Sequence, residues 1–203
     1  MTSFGYAYIT LEDYGEALNY YEEALRIIRE VGNRENEGEI LNNIGFVYTA
    51  QENYEESLRS YEKALGIIRE VGDRENEGEI LNNIGFVHYK LRQHSEALSY
   101  YNESLTIRRE IDDRVGESQS LNNIGAAYVA LGQYERALVE LQQAFPITRE
   151  LVPDGPLHQR VQYWMREALI GIRDDNSVTD YQQQCQAVNQ TTGISLDELC
   201  PAE

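Results

Sequence analysis

The sequence predicts an all-α solenoid, a row of antiparallel helical hairpins stacked side by side. Three observations predict it. The string LNNIG opens at Leu41, Leu81 and Leu121, a constant period of 40 residues, and self-similarity at such a period marks a repeat architecture. Within a period the apolar residues fall at helical spacing, and turn and capping residues separate one helical stretch from the next. At 203 residues with 41% hydrophobic and 10% aromatic side chains, the chain has enough apolar surface to build a continuous core.

The phase extends to the N-terminus, where Met1, Phe4, Gly5 and Tyr8 occupy the places that Leu41, Ile44, Gly45 and Tyr48 hold one period later. Four units follow, 1–40, 41–80, 81–120 and 121–151. Residues 27–40 and 67–80 differ at one position, the mark of a duplicated unit. The first helix of a unit, helix A, carries the stripe Ile80, Leu81, Ile84, Val87, His88 and Leu91, and the second, helix B, carries Tyr54, Leu58, Tyr61, Leu65 and Ile68. Each set keeps one face of a 3.6-residue helix. A break at residues 51–53 separates A from B. Gly72 fits a helix C-cap, and Asp73, followed by Glu75 and Glu77, fits the next N-cap with an acidic first turn. Gly45, Gly85 and Gly125 stand in the middle of helix A, where glycine costs about 1 kcal/mol relative to alanine. A close helix approach explains them, with Ala17, Ser57, Ala97 and Ala137 as the small partners.

These residues resemble the tetratricopeptide repeat (TPR), whose offsets are filled here by Leu41, Ile44, Gly45, Tyr48, Tyr54, Ser57, Tyr61 and Ala64, and again by Ala97, Tyr101 and Ser104, then Ala137, Leu141 and Ala144. The unit is about six residues longer than the usual form of roughly 34, and Arg29, Arg69, Arg109 and Arg149 replace the proline usual after helix B. In that longer form it is similar to the repeats of kinesin light chain, of LGN/Pins polarity adaptors and of bacterial proteins that carry such repeats beside a CHAT caspase-like domain. The resemblance implies a right-handed solenoid with helix A lining a concave groove.

After residue 151 the pattern changes. Pro146 is expected to interrupt the fourth helix B, and VPDGP at 152–156 reads as a loop. Residues 156–203 are expected to form a cap: a helix over 157–172 in phase with a fifth helix A (Val161 matches Leu121), a helix over 178–189, and a short turn at 195–199.

Carried over from the resemblance, the groove contacts are Asn43, Asn83 and Asn123, flanked by Asn42, Asn82 and Asn122, by Phe46 and Phe86, and by Glu39 and Glu79; Gln119 and Ala126 take the last two roles in the fourth unit. An asparagine amide donates and accepts, so it can hold a peptide backbone without requiring a charge. The competing assignment gives one Asn of each pair to an inter-repeat contact. A clamp for a C-terminal carboxylate needs Lys or Arg on helix A, and Glu39, Glu79, Asn43 and Asn83 stand there instead.

Charge narrows the partner further. The net charge is −18, and the acid is concentrated early: residues 1–40 carry 3 basic against 9 acidic side chains and 41–80 carry 4 against 9, whereas 81–120 carry 5 against 6. Such a surface repels nucleic acid and anionic membranes, and favours a protein or peptide segment with basic and amide side chains. The start of the sequence has no apolar signal region and no segment long enough to span a bilayer, which points to the cytoplasm. No P-loop, GxSxG, HExxH or CxxC motif occurs, so no catalytic residues, metal or cofactor are expected; His88 and His94 read as packing substitutions for tyrosine, and the recurring Tyr14, Tyr54, Tyr134 and Tyr8, Tyr48, Tyr128 read as core. Cys185 and Cys200 are expected as free thiols in that compartment. Two other functions compete with peptide binding: self-association through the solenoid ends, including a homodimer through an N-terminal end where Tyr6, Tyr8 and Ile9 lack a covering repeat, and the sensor part of a larger CHAT-protease-like protein.

Overall fold

The computed structural model describes residues 13–175 and 178–200. The expectations for the N-terminal half-unit and its homodimer surface fall on residues outside that range. Among the described residues there are helices and turns and no strand: α1 (Tyr14–Val31), α2 (Arg34–Ala50), α3 (Tyr54–Val71), α4 (Arg74–Lys90), α5 (His94–Glu110), α6 (Arg114–Ala130), α7 (Tyr134–Leu151), α8 (Pro156–Asp175), α9 (Val178–Thr192) and α10 (Leu196–Leu199). They divide into two compact units, split between Gln93 and His94. No described helix is long and apolar enough to cross a membrane.

In the first unit α2 packs on α1 and α3, and α4 packs on α3 and α2. Ile40, Leu41, Ile44 and Val47 of α2 are buried with Tyr61, Ala64, Leu65 and Ile68 of α3, so the two apolar stripes meet as their periodicity requires. Gly45 allows the approach: a Cβ there would lie 2.7 Å from ring carbons of Tyr61. The larger Tyr61 ring, rather than Ser57, therefore fills the space, while the Ser57 hydroxyl donates to the Gly45 carbonyl at 2.9 Å. Among the described residues the fully buried tyrosines are Tyr21, Tyr61 and Tyr101; Tyr14, Tyr54, Tyr134, Tyr48 and Tyr128 are half-buried, consistent with a ring against the core and a hydroxyl kept near water.

Capping follows the sequence. Gly32 and Gly72 adopt left-handed φ of 76° and 81°, and Asn33, Asp73 and Asp113 accept hydrogen bonds from the backbone N–H of Asn36, Asn76 and Gly116. Across each of these B-to-A turns runs an ionic latch. Arg29 and Arg34 both donate to Glu37, at 2.9 and 2.7 Å; Arg69 and Arg74 hold Glu77 at 2.8 and 2.5 Å; Arg109 and Arg114 hold Glu117, both at 2.9 Å. The arginines that replace the repeat's proline thus tie helix B to the following helix A.

In the second unit α6 packs on α5 and α7, α8 packs on α7 and α6, α9 lies on α8 and α7, and α10 lies on α8 and α9. Two expectations are corrected here. Pro146 lies inside α7, which continues to Leu151: burial of Phe145 and Ile147 on either side holds the turn that the lost N–H weakens. Cys185 and Cys200 are not free thiols but a disulfide, Cα atoms 6.3 Å apart, because the turn after α9 folds the tail back toward Cys185.

Candidate functional site

The helix-A residues of the first unit separate into two kinds. Asn42 is 7% exposed; its amide donates to Glu79 at 2.8 Å and its carbonyl accepts from Asn83 at 3.1 Å. It joins α2 to α4 and is an inter-repeat contact. Asn43, half-buried one residue on, has no hydrogen-bond partner among the described residues. Beside it Phe46 and Phe86, one period apart, are 45% and 41% exposed, although the residues around them in both helices are core. The Lys90 ammonium lies 5.8 Å from the centre of the Phe86 ring, within cation–π range.

Acid surrounds this face. Burial first, then the nearby charges of Glu35, Asp73 and Glu79, push the Glu39 carboxyl above its ordinary value of 4.5. Deeper in, burial and, to a smaller degree, the charge of Glu79 push the Tyr61 phenol up to about 12, against hydrogen bonds to Thr49 and Ser57. A cation reaching Glu39 and Glu79 would relieve their mutual repulsion.

The second unit does not repeat this face. Ala126 stands at the Phe46 offset and is buried. Asn122 is 2% exposed, donates to Asn123 at 3.1 Å, and leaves its own carbonyl oxygen buried without a partner. The physical reason lies one helix on: the offset of Asn83, which supplies the donor to Asn42, is filled on α8 by Tyr163. On α8 the four offsets of Glu39, Asn42, Asn43 and Phe46 become Gln159, Gln162, Tyr163 and Arg166. These four line a cavity of about 270 Å³ together with Ile194, Glu198 and Leu199 of the tail.

Sequence reasoning missed the latches and the tail contact. Arg34, Glu37 and their copies recur every 40 residues, a signal that was available; nothing in the period announces what packs on α8, because residues 176–203 do not repeat.

The model of the family described as tetratricopeptide repeat matches residues 1–70, 36–110 and 76–150. Among solved structures, a putative kinesin light chain from Podospora anserina with nearly identical TPR-like repeats shares 15% identity over 94% of this chain and 92% of that one, with a TM-score of 0.70. A signal transduction ATPase with numerous domains and a tetratricopeptide repeat sensor, from Pyrococcus horikoshii, shares 21% identity over 96% of this chain at a TM-score of 0.77, and the match spans 30% of that protein. A Rap protein complexed with competence and sporulation factor shares 16% over 93% of this chain and 52% of that one, TM-score 0.67. No curated protein matches the chain.

Proposed function

The chain belongs to the tetratricopeptide repeat family, and from that premise we propose that it is a non-catalytic interaction module whose first unit binds a protein segment carrying Lys or Arg among apolar or amide side chains. The observation that carries this reading is the pair Phe46 and Phe86, exposed at one offset on α2 and α4 beside the unpartnered amide of Asn43. Exposed aromatics at a repeated position offer flat apolar contact to the stem of a basic side chain and a face to its charge. Asn43 supplies a donor and an acceptor for the segment's backbone, and Glu39 and Glu79 supply the counter-charge. Asn83, already tied to Asn42, keeps a carbonyl for the same backbone. A Rap protein of similar fold has been solved in complex with competence and sporulation factor, which supports a binding role for the fold.

Selection from a random displayed-peptide library on the full chain, followed by titration of the enriched peptides, tests it. Basic peptides should be enriched, their affinity should fall with salt, and Phe46→Ala, Phe86→Ala and Asn43→Ala should each weaken binding about tenfold, roughly 1.4 kcal/mol, with helicity unchanged. Enrichment of acidic peptides, or binding indifferent to all three changes, would remove the proposal.

A further inference from the structure

The edge of α8 that would meet another repeat is partly covered by the chain's own tail, which leaves Gln159, Tyr163 and Arg166 exposed. In the first unit this edge of α2 meets a full neighbouring helix, with Asn42 bonded to Glu79 and Asn83 of α4. On α8 the offset of Asn42 holds Gln162, which lines a cavity with Ile194 and with Glu198 and Leu199 of the four-residue α10, beside Tyr163 and Arg166 at the offsets that stay open on α2. A helix of one turn cannot fill the space of a seventeen-residue one, and the cavity of about 270 Å³ between them is the remainder. We propose that the stripe Gln159, Gln162, Tyr163 and Arg166 is a second docking surface, for a short acidic and apolar segment, narrowed by residues 193–200 while Cys185 and Cys200 are joined.

The tail itself shows the chemistry of the occupant. It places Ile194 and Leu199 inward, both buried, and carries Asp197 and Glu198, both exposed. Opposite stands Arg166, which has no ion pair among the described residues although Glu198 lines the same cavity. Apolar side chains entering beside an unpaired cation, with acids around them, define a complementary segment. The tail is held by two buried side chains, by hydrogen bonds from the Asn189 amide to the Ile194 carbonyl at 2.7 Å, from the Ile194 N–H to the Thr192 hydroxyl at 3.2 Å and from the Gly193 N–H to the Asn189 carbonyl at 2.7 Å, and by the disulfide, which closes a loop of 15 residues. Ordering a tail of this length costs more backbone entropy than two buried side chains return, so the covalent bond decides how far the stripe is covered. Opening is a two-electron reduction. The S–S bond breaks, two S–H bonds form, and a dithiol reductant supplies both electrons and both protons while closing its own disulfide.

The test uses the full chain, oxidised and after reduction with dithiothreitol. Hydrogen exchange over residues 193–200 should quicken at least tenfold on reduction, with α1 to α7 unchanged. A labelled peptide of sequence ISLDEL, residues 194–199, should bind the reduced chain and the Cys200→Ser variant at least tenfold tighter than the oxidised chain, and Arg166→Glu in the Cys200→Ser background should reverse the gain. Since reduction of the natural chain and Cys200→Ser open the same bond by different means, a folding defect in the variant leaves the first measurement intact. Equal binding in both redox states, no binding in either, unchanged exchange, or alkylation of both cysteines before reduction would overturn the proposal. Each of these outcomes leaves the basic-segment face on α2 and α4 untouched.

Discussion

Three B-to-A turns of this chain are closed by charge and the fourth by a neutral network. At the first three, a glutamate at one offset, Glu37, Glu77 or Glu117, is gripped by two arginines. At the fourth, Leu157 stands at that offset and Asp154 at the offset of the second arginine. Arg149, left without its glutamate, donates instead to the Thr192 carbonyl at 3.0 Å and lies over the Phe145 ring. The junction is carried by His158, whose Nδ1 is 2.8 Å from the Thr148 hydroxyl and whose Nε2 is 3.3 Å from the Gln162 amide, with its ring 4.7 Å from that of Phe145. These bonds fit a neutral ring that donates from Nδ1 and accepts at Nε2, while the Thr148 hydroxyl donates onward to the Phe145 carbonyl. The lesson is that a repeat offset specifies a location more firmly than a chemistry: where the repeat gives way to the cap, one arginine is kept and handed a new partner.

The comparison breaks most visibly at His158. His158→Ala removes a buried ring and one partner of Thr148, and should cost about 2–4 kcal/mol in denaturant unfolding of the second unit. At a regular turn, Glu77→Gln keeps the shape and removes the charge; since Arg69 and Arg74 are about half exposed and can turn to water, the loss should be about 1 kcal/mol. A loss at Glu77 exceeding that at His158 would invert the assignment of rigid and adaptable turns.

Acid should separate the two kinds of turn by a smaller effect. Burial, then the charge of Arg149, holds the His158 imidazole below its ordinary 6.5, so the unfolded chain takes up the proton more readily than the folded one. Its contribution is complete above pH 6.5 and is lost as pH falls through the window beneath that value. Burial alone would raise the Glu37 carboxyl, but hydrogen bonds from Arg29 and Arg34, with their charges, hold it below 4.5; its contribution persists down to pH 4.5 and is lost only as pH falls further. Site-resolved hydrogen exchange, corrected for intrinsic rates, should therefore show the α7–α8 junction loosening between pH 6.5 and 4.5 while the α1–α2 turn stays closed. Loosening of the α1–α2 turn first would contradict both assignments.

The smallest expected effect is the attempt to write a fourth latch. Leu157→Glu restores the missing acid, but Asp154 stands where the second arginine is needed and Arg149 is already bonded to Thr192. The change in stability should stay within about 0.5 kcal/mol. A gain above 1 kcal/mol in thermal melting would mean that Arg149 prefers a carboxylate to its present carbonyl.

Much of the fold was legible in the residues because it rests on local and periodic rules. Gly72 and Asp73 mark a C-cap and an N-cap whatever lies around them, and the α2 and α3 stripes announce their buried faces without reference to each other. The candidate site was legible only as a set. Asn42 and Asn43 are adjacent and chemically identical, and a rotation of about 100° along the helix sends one into the joint with α4 and the other to the open face. The structure departs from the sequence rules at Pro146 and at the two cysteines for a related reason: each rule, loss of an N–H and a reducing compartment, describes a residue alone.

By itself, then, the sequence determined the period, the hairpins, their caps and the residues that could line a groove, because short-range geometry and hydrophobic spacing repeat with every copy of the unit. Only the tertiary structure decided which asparagine is spent between repeats, which glutamate each arginine grips, and that the tail returns to Cys185 over the edge of α8. Those outcomes depend on distances between residues far apart in the chain, and such distances exist only once the helices have packed.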